Sequence, residues 1–137
     1  MKSIVFTFLL LVSMYSAGQN RLEVEVTKIK DLEGQVQVCL FKDGVGFLSK
    51  GAPVACTWME ANSGTISYVF DSVSAGEYAV IVIHDLNKNK TLDTNFLRIP
   101  SEPYGFSNNP STTFGPPDFE GAAFQISGDT KIKVELK

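Results

Sequence analysis

The chain has 137 residues, of which 12 are lysine or arginine and 15 are aspartate or glutamate, so its formal net charge is −3. Such a chain lacks the excess of basic residues with which proteins neutralise nucleic-acid phosphates, and nucleic acid is excluded as an expected partner. The length is that of one domain with a hydrophobic core, and we expect no second domain.

The N-terminal segment has the features of a secretory signal peptide. Lys2 precedes the apolar run IVFTFLLLV at 4–12, and the small residues SAG follow at 16–18. The run is shorter than the roughly 20 apolar residues that a transmembrane helix needs. We therefore expect residues 1–18 to be removed, residues 19–137 to form the mature domain, and the protein to be exported to the periplasm or the extracellular space without a membrane span.

Alternation of apolar and polar side chains predicts half-buried β-strands along much of the mature chain. The pattern occurs in RLEVEV at 21–26, QVQVCL at 35–40, TISYVF at 65–70 and KIKVEL at 131–136. In contrast, EYAVIVI at 77–83 is apolar on both faces, as expected for a central strand that is covered on two sides. AAFQI at 122–126 and a weaker pattern at 54–59 bring the number of predicted strands to about seven.

The prediction for the whole chain is an all-β fold, an immunoglobulin-like (transthyretin-like) β-sandwich. No stretch of ten residues shows helical periodicity, and turn-forming residues interrupt the chain at the intervals typical of sandwiches. The segment 85–121 is longer than ordinary connections and is rich in Pro, Asn and aromatic residues. Disordered segments are poor in aromatics, so we predict a long ordered cap loop in which the function is concentrated.

Cys39 and Cys56 are a candidate disulfide, because exported proteins enter an oxidising compartment. A bridge across this interval would contribute roughly 3 kcal/mol on the chain-entropy model. The alternative is a free, semi-buried thiol. The alternation places Cys39 on the same strand face as Gln35 and Gln37, away from the main core.

The cap begins with HDLNKNKTLDTN at 84–95, in which oxygen-bearing side chains recur at every second position and then after a gap of four. In an EF-hand loop, this spacing brings alternate oxygens round one calcium ion. The candidate metal ligands are Asp85, Asn87, Asn89, the Thr91 carbonyl and Asp93.

The same loop departs from an EF-hand at two positions. Lys90 replaces the glycine of the sharp turn, and Phe96 stands where a bidentate glutamate is expected, so Glu102, a carbonyl or water would complete the site. Two carboxylates beside two lysines predict a weak, structural Ca²⁺ site, with Kd of about 10⁻⁴ to 10⁻³ M. The alternative is a metal-free turn in which Asp and Asn side chains bond to their own backbone.

Further along the cap, four residues form a candidate surface for a glycan or a protein partner, because aromatic rings stack and amides donate hydrogen bonds. They are Tyr104, Phe106, Asn108 and Asn109. The alternative is that the aromatic rings only pack the cap onto the sandwich.

No catalytic constellation is recognisable in the sequence. Nucleophilic catalysis requires a nucleophile, a base and an orienting group in mutual reach, whereas the chain has a single histidine, His84, with no such context. The carboxylates of the cap show no spacing that singles out a pair for glycoside hydrolysis. We therefore expect no enzymatic activity.

Several segments closely resemble a secreted bacterial family called domain of unknown function 2141. They are FKDGVGFLSK at 41–50, AGEYAV at 75–80, HDLNKNKTLDTN, IPSEPYGFSNNP at 99–110 and FGPPDFEGAAF at 114–124. The resemblance covers residues 21–136, and AGEYAV is also similar to the turn and core strand of transthyretin-like and collagen-adhesin repeat sandwiches. The family has no established activity, so the resemblance implies a sandwich and no particular chemistry.

The family's usual loop pattern is HDxNxNGxLDTN. This chain has Lys90 in place of the glycine and Leu86 where an acidic residue is common. Both differences imply weak metal binding. The function expected from the sequence is thus a binding or structural role at the cell surface or in the periplasm, with a carbohydrate or small-ligand binding module as the alternative.

Overall fold

The computed structural model describes residues 18–49 and 52–137, and these form a two-sheet β-sandwich. Apart from Gly18, the predicted signal peptide lies outside the described residues. The described part contains eight strands and one short helix: β1 Asn20–Thr27, β2 Gln35–Lys42, β3 Ala55–Glu60, β4 Ile66–Val73, β5 Gly76–Asp85, β6 Tyr104–Phe106, α1 Phe119–Ala122, β7 Phe124–Ile126 and β8 Thr130–Glu135. No helix in these residues is long and apolar enough to cross a membrane.

One sheet has the strand order β4-β1-β8, and the other has the order β3-β2-β5-β6. In the smaller sheet, β1 pairs with β4 antiparallel and with β8 parallel. All pairings in the larger sheet are antiparallel. Both β6 and β7 pair with β5, β7 along residues 76–78 and β6 along 81–83. As a result, β5 is the central strand on which the cap is built.

The main core lies between the two sheets and confirms the alternation predicted from the sequence. Its fully buried side chains come from alternate positions of facing strands: Leu22, Val24 and Val26 of β1, Val36, Val38 and Leu40 of β2, and Tyr78, Val80 and Val82 of β5. Because successive side chains of a strand point to opposite faces, the intervening polar residues of β1 face solvent.

The outer face of β5 carries a second, smaller core. Ala79 packs there with Phe106 and Ala122, and Phe47 and Phe119 close it from the sides. The ring of Phe47 lies 6.3 Å from that of Phe106 and 5.7 Å from that of Phe119, in edge-to-face contacts. The prediction that β5 is covered on two sides and that the cap is ordered is therefore confirmed.

Two local features differ from the prediction of about seven strands and no helix. The described residues have eight strands, because β6 lies within the segment 85–121, where three residues give no periodic signal. The predicted strand at 122–126 begins only at Phe124, because Ala122 ends α1. The Asp118 carboxylate caps this helical turn by accepting the Gly121 N–H at 2.9 Å.

Cys39 and Cys56 lie directly opposite each other in the β2–β3 ladder, with Cα atoms 4.2 Å apart, and form a disulfide. The bridge joins the edge strand β3 to its neighbour. No free cysteine occurs among the residues that the structure describes. Cys39 lies on the face of β2 opposite Val38 and Leu40, which is the orientation expected from the alternation.

Candidate functional site

The segment HDLNKNKTLDTN leaves the end of β5 and folds back in a tight turn around Asp85. The Asp85 side chain is fully buried, and its carboxylate accepts the N–H groups of Asn89 at 3.2 Å and Lys90 at 2.7 Å. Lys90 has φ +64°, a backbone conformation that glycine adopts at less cost. Its ammonium lies 4.3 Å from the centre of the Trp58 ring, a favourable cation–π distance.

Glu102 closes the other end of the same loop. Its side chain is buried, and its two carboxylate oxygens accept the N–H groups of Leu86 at 2.9 Å and Asp93 at 3.0 Å. One carboxylate thus joins the start and the end of the loop. Sequence analysis predicted Glu102 only as a further metal ligand. The backbone groups that Glu102 binds lie 16 and 9 residues away, and no local sequence pattern indicates these contacts.

The remaining polar side chains of the loop bind one another. The side-chain amide nitrogens of Asn87 and Asn89 donate to the Asp93 carboxylate at 2.6 and 2.9 Å. Their amide oxygens accept backbone N–H groups, from Asn89 and Thr91 respectively. The amide N–H groups therefore occupy the positions beside Asp93 that a cation would need.

The structure brings all five predicted metal ligands into one compact turn, and the side-chain oxygens of its two aspartates and two asparagines are engaged by N–H groups. Among the described residues, no cluster of three or more Asp, Glu, His or Cys is arranged to hold a metal ion. A calcium ion would have to be accompanied by rotation of both asparagine amides, so that oxygen instead of nitrogen faces Asp93. That rotation would break the bonds that the amide oxygens make to the backbone.

Charged contacts fix the outside of this loop to the edge strand β3. The Lys88 ammonium lies 3.0 Å from the Glu60 carboxylate, which also accepts a hydrogen bond of 2.6 Å from the Gln35 amide. The hydrogen bond from Gln35 and, after it, that from Lys88 lower the pKa of Glu60. Because these groups are exposed, they add little stability.

His84 has a structural position. Its ring is fully buried on the inner face of β5, with Nε2 2.7 Å from the Glu33 carbonyl oxygen. Its backbone N–H donates to the Pro103 carbonyl at 2.8 Å. The histidine therefore links the end of β5 to the β1–β2 connection and to the cap.

A groove of about 600 Å³ opens on the outer face of the larger sheet, beside the loop. Its floor consists of apolar side chains from three strands, namely Phe41, Ile81, Ile83, Tyr104 and Phe106. Its walls are formed by loops at 48–49, 92–100 and 112–116, which contribute Leu48, Leu92, Ile99, Pro100 and Pro116. The volume lies within the range of roughly 300 to 1,000 Å³ that is usual for small-molecule sites.

Few polar groups are found among the described residues that line the groove. They are the hydroxyls of Ser49, Thr94, Tyr104, Thr112 and Thr113, together with one charged side chain, Arg98. The Tyr104 hydroxyl donates to the Thr112 hydroxyl at 3.1 Å and so attaches the 112–116 loop to β6. Two phenylalanines of these loops, Phe96 and Phe114, are almost completely exposed.

The four residues that were predicted from the sequence to form one ligand surface do not all lie at the groove. Tyr104 and Phe106 line the groove. The side chains of Asn108 and Asn109 instead bond to the backbone: Asn108 donates to the Ala123 carbonyl at 2.7 Å, and Asn109 accepts the Glu135 N–H at 2.8 Å. These two residues hold the cap against its neighbours and are not part of the groove lining.

Comparison with known proteins gives one structural neighbour and one family. No curated protein gives a significant match. Among solved structures, the chain is similar to the tip fimbrial protein Mfa3 from Porphyromonas gingivalis with C-terminal truncation, with 15% identity and a TM-score of 0.43. The similarity covers 85% of this chain and 48% of that chain, so this chain spans about half the length of the fimbrial protein.

The family comparison agrees with the resemblance seen in the cap motifs. The matching family model is DUF2141, described as an uncharacterized protein conserved in bacteria, and it covers residues 24–134. That range includes the central strand β5, the Asp85 loop and the groove. The chain therefore belongs to the DUF2141 family of bacterial proteins.

Proposed function

We propose that the protein is an exported, non-enzymatic binding module that holds a small, largely apolar ligand in the groove beneath its cap. The observation that carries the proposal is the groove itself, which combines a volume of about 600 Å³ with a predominantly apolar lining. Ligand sites in proteins are typically concave, apolar and supplied with only a few polar groups. The groove meets each of these criteria.

The construction of the groove supports a preformed site. Its floor belongs to β2, β5 and β6, which are hydrogen-bonded strands. The Glu102 carboxylate accepts the Asp93 N–H of the 92–100 loop, and the Tyr104 hydroxyl donates to Thr112 of the 112–116 loop. A site that is ordered before binding loses less conformational entropy when the ligand enters. The glycan expected as an alternative from the sequence is less well matched, because sugars require many convergent hydrogen-bonding groups.

The composition of the lining supports a non-enzymatic role. No histidine, cysteine or carboxylate is among the described residues that line the groove. His84 lies on the opposite face of β5, and the carboxylates of Asp85 and Glu102 are occupied by backbone N–H groups. Acid–base or nucleophilic chemistry needs such groups within reach of the bound molecule.

The test is titration of the mature protein with a neutral, polarity-sensitive dye such as Nile red. We expect saturable binding with a blue-shifted emission, and loss of at least about tenfold in affinity when Thr113→Trp fills the groove from its rim. Thr65→Trp is the matched control, because Thr65 is also exposed but lies in the β3–β4 turn. Equal dye binding by both variants would contradict the proposal.

A second proposal concerns the loop: a weak, structural Ca²⁺ ion binds at Asp85, Asn87, Asn89, Thr91 and Asp93. The observation that favours it is that one turn collects the oxygens of two aspartates and two asparagines, with the buried Glu102 carboxylate attached to the same backbone. The rotation of both asparagine amides that binding requires opposes it. A Kd of 0.1 to 1 mM predicts about 1.4 to 2.7 kcal/mol of stabilisation in about 10 mM calcium.

Thermal unfolding in EDTA and in calcium tests this second proposal. An increase in Tm that is specific to calcium over magnesium, and that is absent in Asp93→Ala, is expected. An unchanged Tm in calcium would refute it.

A further inference from the structure

We infer that the ligand of the groove is an anionic amphiphile, a linear hydrocarbon chain that ends in a carboxylate. The chain occupies the apolar floor and the carboxylate pairs with Arg98. This inference rests on the proposed function and adds the chemical class of the ligand to it.

The charge of the lining is the first argument. Arg98 is the one charged residue among the described residues that line the groove. None of the ion pairs between described residues uses its guanidinium. A guanidinium presents a planar fork of donors that fits a carboxylate through two parallel hydrogen bonds. The groove therefore offers one unneutralised positive charge of the geometry that a carboxylate requires.

The position of Arg98 is the second argument. The Asn95 side chain accepts the N–H groups of Leu97 at 2.9 Å and Ile99 at 3.0 Å, and the Asn95 carbonyl accepts the Arg98 N–H at 2.9 Å. Arg98 thus sits in a well-defined turn. Its φ is +61°, which glycine or asparagine would adopt at lower cost, so the backbone gives no reason for an arginine at this position.

The distribution of polarity along the groove is the third argument. Arg98 is exposed, so its charge lies at the solvent side, whereas Ile81 and Ile83 on the floor are half-buried. Ile99 and Leu92, which belong to the same wall loop as Arg98, add apolar side chains to the lining. An amphiphile matches this order, because its charged end stays in contact with water while its chain is removed from it.

The ligand is a single free molecule and not a lipid that remains in a bilayer. The groove is concave with an apolar floor, so it encloses a single chain. A doubly charged phosphate group would be matched by more than one cation, and the described residues of the lining supply one. The Lys90 ammonium lies over the Trp58 ring, and Lys90 is not among the described residues that line the groove.

The test compares dodecanoate with dodecan-1-ol, both below the concentration at which they aggregate, by displacement of Nile red from the mature protein. We expect the carboxylate to bind about 10- to 100-fold more tightly than the alcohol, which is the range for hydrogen bonds to a charged group. Among carboxylates of increasing length, the affinity should rise by up to about fourfold per methylene until the groove is full.

Two matched variants locate the charge. Arg98→Gly and Lys90→Gly each remove one cation from a residue with positive φ in the connection between β5 and β6, where glycine is well tolerated. We expect Arg98→Gly to reduce dodecanoate affinity to that of the alcohol without changing alcohol binding, Arg98→Lys to retain part of the difference, and Lys90→Gly to have no effect. Unchanged circular dichroism and Tm verify that each variant is folded.

The outcomes separate this inference from the proposed function. Equal affinity for the acid and the alcohol, or an equal loss of dodecanoate affinity in both glycine variants, would contradict the anionic ligand but not the proposal that the groove binds an apolar chain. If neither compound nor the dye bound, the proposal that the groove is a ligand-binding site would be contradicted as well. Co-sedimentation with phosphatidylglycerol vesicles that depends on Arg98, in the absence of dodecanoate binding, would overturn the choice of a free monomer.

Discussion

Replacement of Asp85 by alanine tests whether buried hydrogen bonds close the HDLNKNKTLDTN loop. The Asp85 carboxylate is fully buried and accepts the N–H groups of Lys90 and Asn89. Asn89 N–H has a second acceptor in the Asn87 side chain at 3.2 Å, so the alanine variant leaves Lys90 N–H as the main unpaired donor. Loss of a hydrogen bond to a charged group and the unpaired, partly buried Lys90 N–H each cost about 1 to 3 kcal/mol, and we expect a loss of about 2 to 4 kcal/mol in total.

The assay is urea unfolding of the mature domain, supported by thermal unfolding. The midpoint should fall with no change in the m-value, and Tm should fall by roughly 8 to 16 °C at about 4 °C per kcal/mol for a domain of this size. Asp93→Ala is the matched control, because it removes the same charge from the same loop but breaks only exposed bonds to asparagine side chains. We expect it to cost less than about 1 kcal/mol in EDTA.

The reasoning would be refuted by a loss of less than about 0.5 kcal/mol for Asp85→Ala in EDTA. It would also be refuted if both aspartate variants destabilised the protein equally and only when calcium was present. In that case a metal ion, and not hydrogen bonding to the backbone, would close the loop.

Three further predictions concern other parts of the domain. Replacing Cys39 and Cys56 by serine should cost about 3 kcal/mol of unfolding free energy in urea, because the bridge closes a loop with a sequence separation of 17; an unchanged midpoint would contradict it. Gln35→Ala should raise the pKa of Glu60 toward the usual value for glutamate, as measured by NMR titration, because the Gln35 hydrogen bond is the largest cause of the lowering. Since the folded-state pKa of Glu60 is lowered, its stabilisation is present above the unfolded-state pKa and is lost as the pH falls through the folded-state pKa. Gly105→Ala should destabilise the domain by about 1 to 3 kcal/mol in thermal unfolding, because a Cβ there would lie 2.7 Å from the Glu135 carbonyl oxygen and from a Val134 methyl; a wild-type Tm would show that β6 and β8 separate easily.

Local periodicity was sufficient to identify most strands of the sandwich. In β1 and β2, the side chains alternate between core and surface, and consecutive residues of the sequence show this period of two directly. The double-sided burial of β5 was equally readable from its run of apolar residues. The three residues of β6 carry no such signal, because they form a strand only where the edge of β5 is free to pair with them.

The candidate site was only partly predictable. Residue type alone selected Tyr104 and Phe106, which line the groove, together with Asn108 and Asn109, which do not. An asparagine has the same donors and acceptors whether it binds a ligand or a backbone group. The difference arises only when the folded chain places the backbone of Ala123 and Glu135 beside it.

The sequence by itself determined the class of fold, the family and the position of the polar loop, because each depends on the order of neighbouring residues. The tertiary structure decided what those residues contact. The oxygens of HDLNKNKTLDTN have the same spacing whether they face an ion or N–H groups, and only the buried positions of Asp85 and Glu102 engage them with the backbone. Likewise, Arg98 becomes the one charged residue in the described lining of an apolar groove only because three separate loops meet over one face of the sheet.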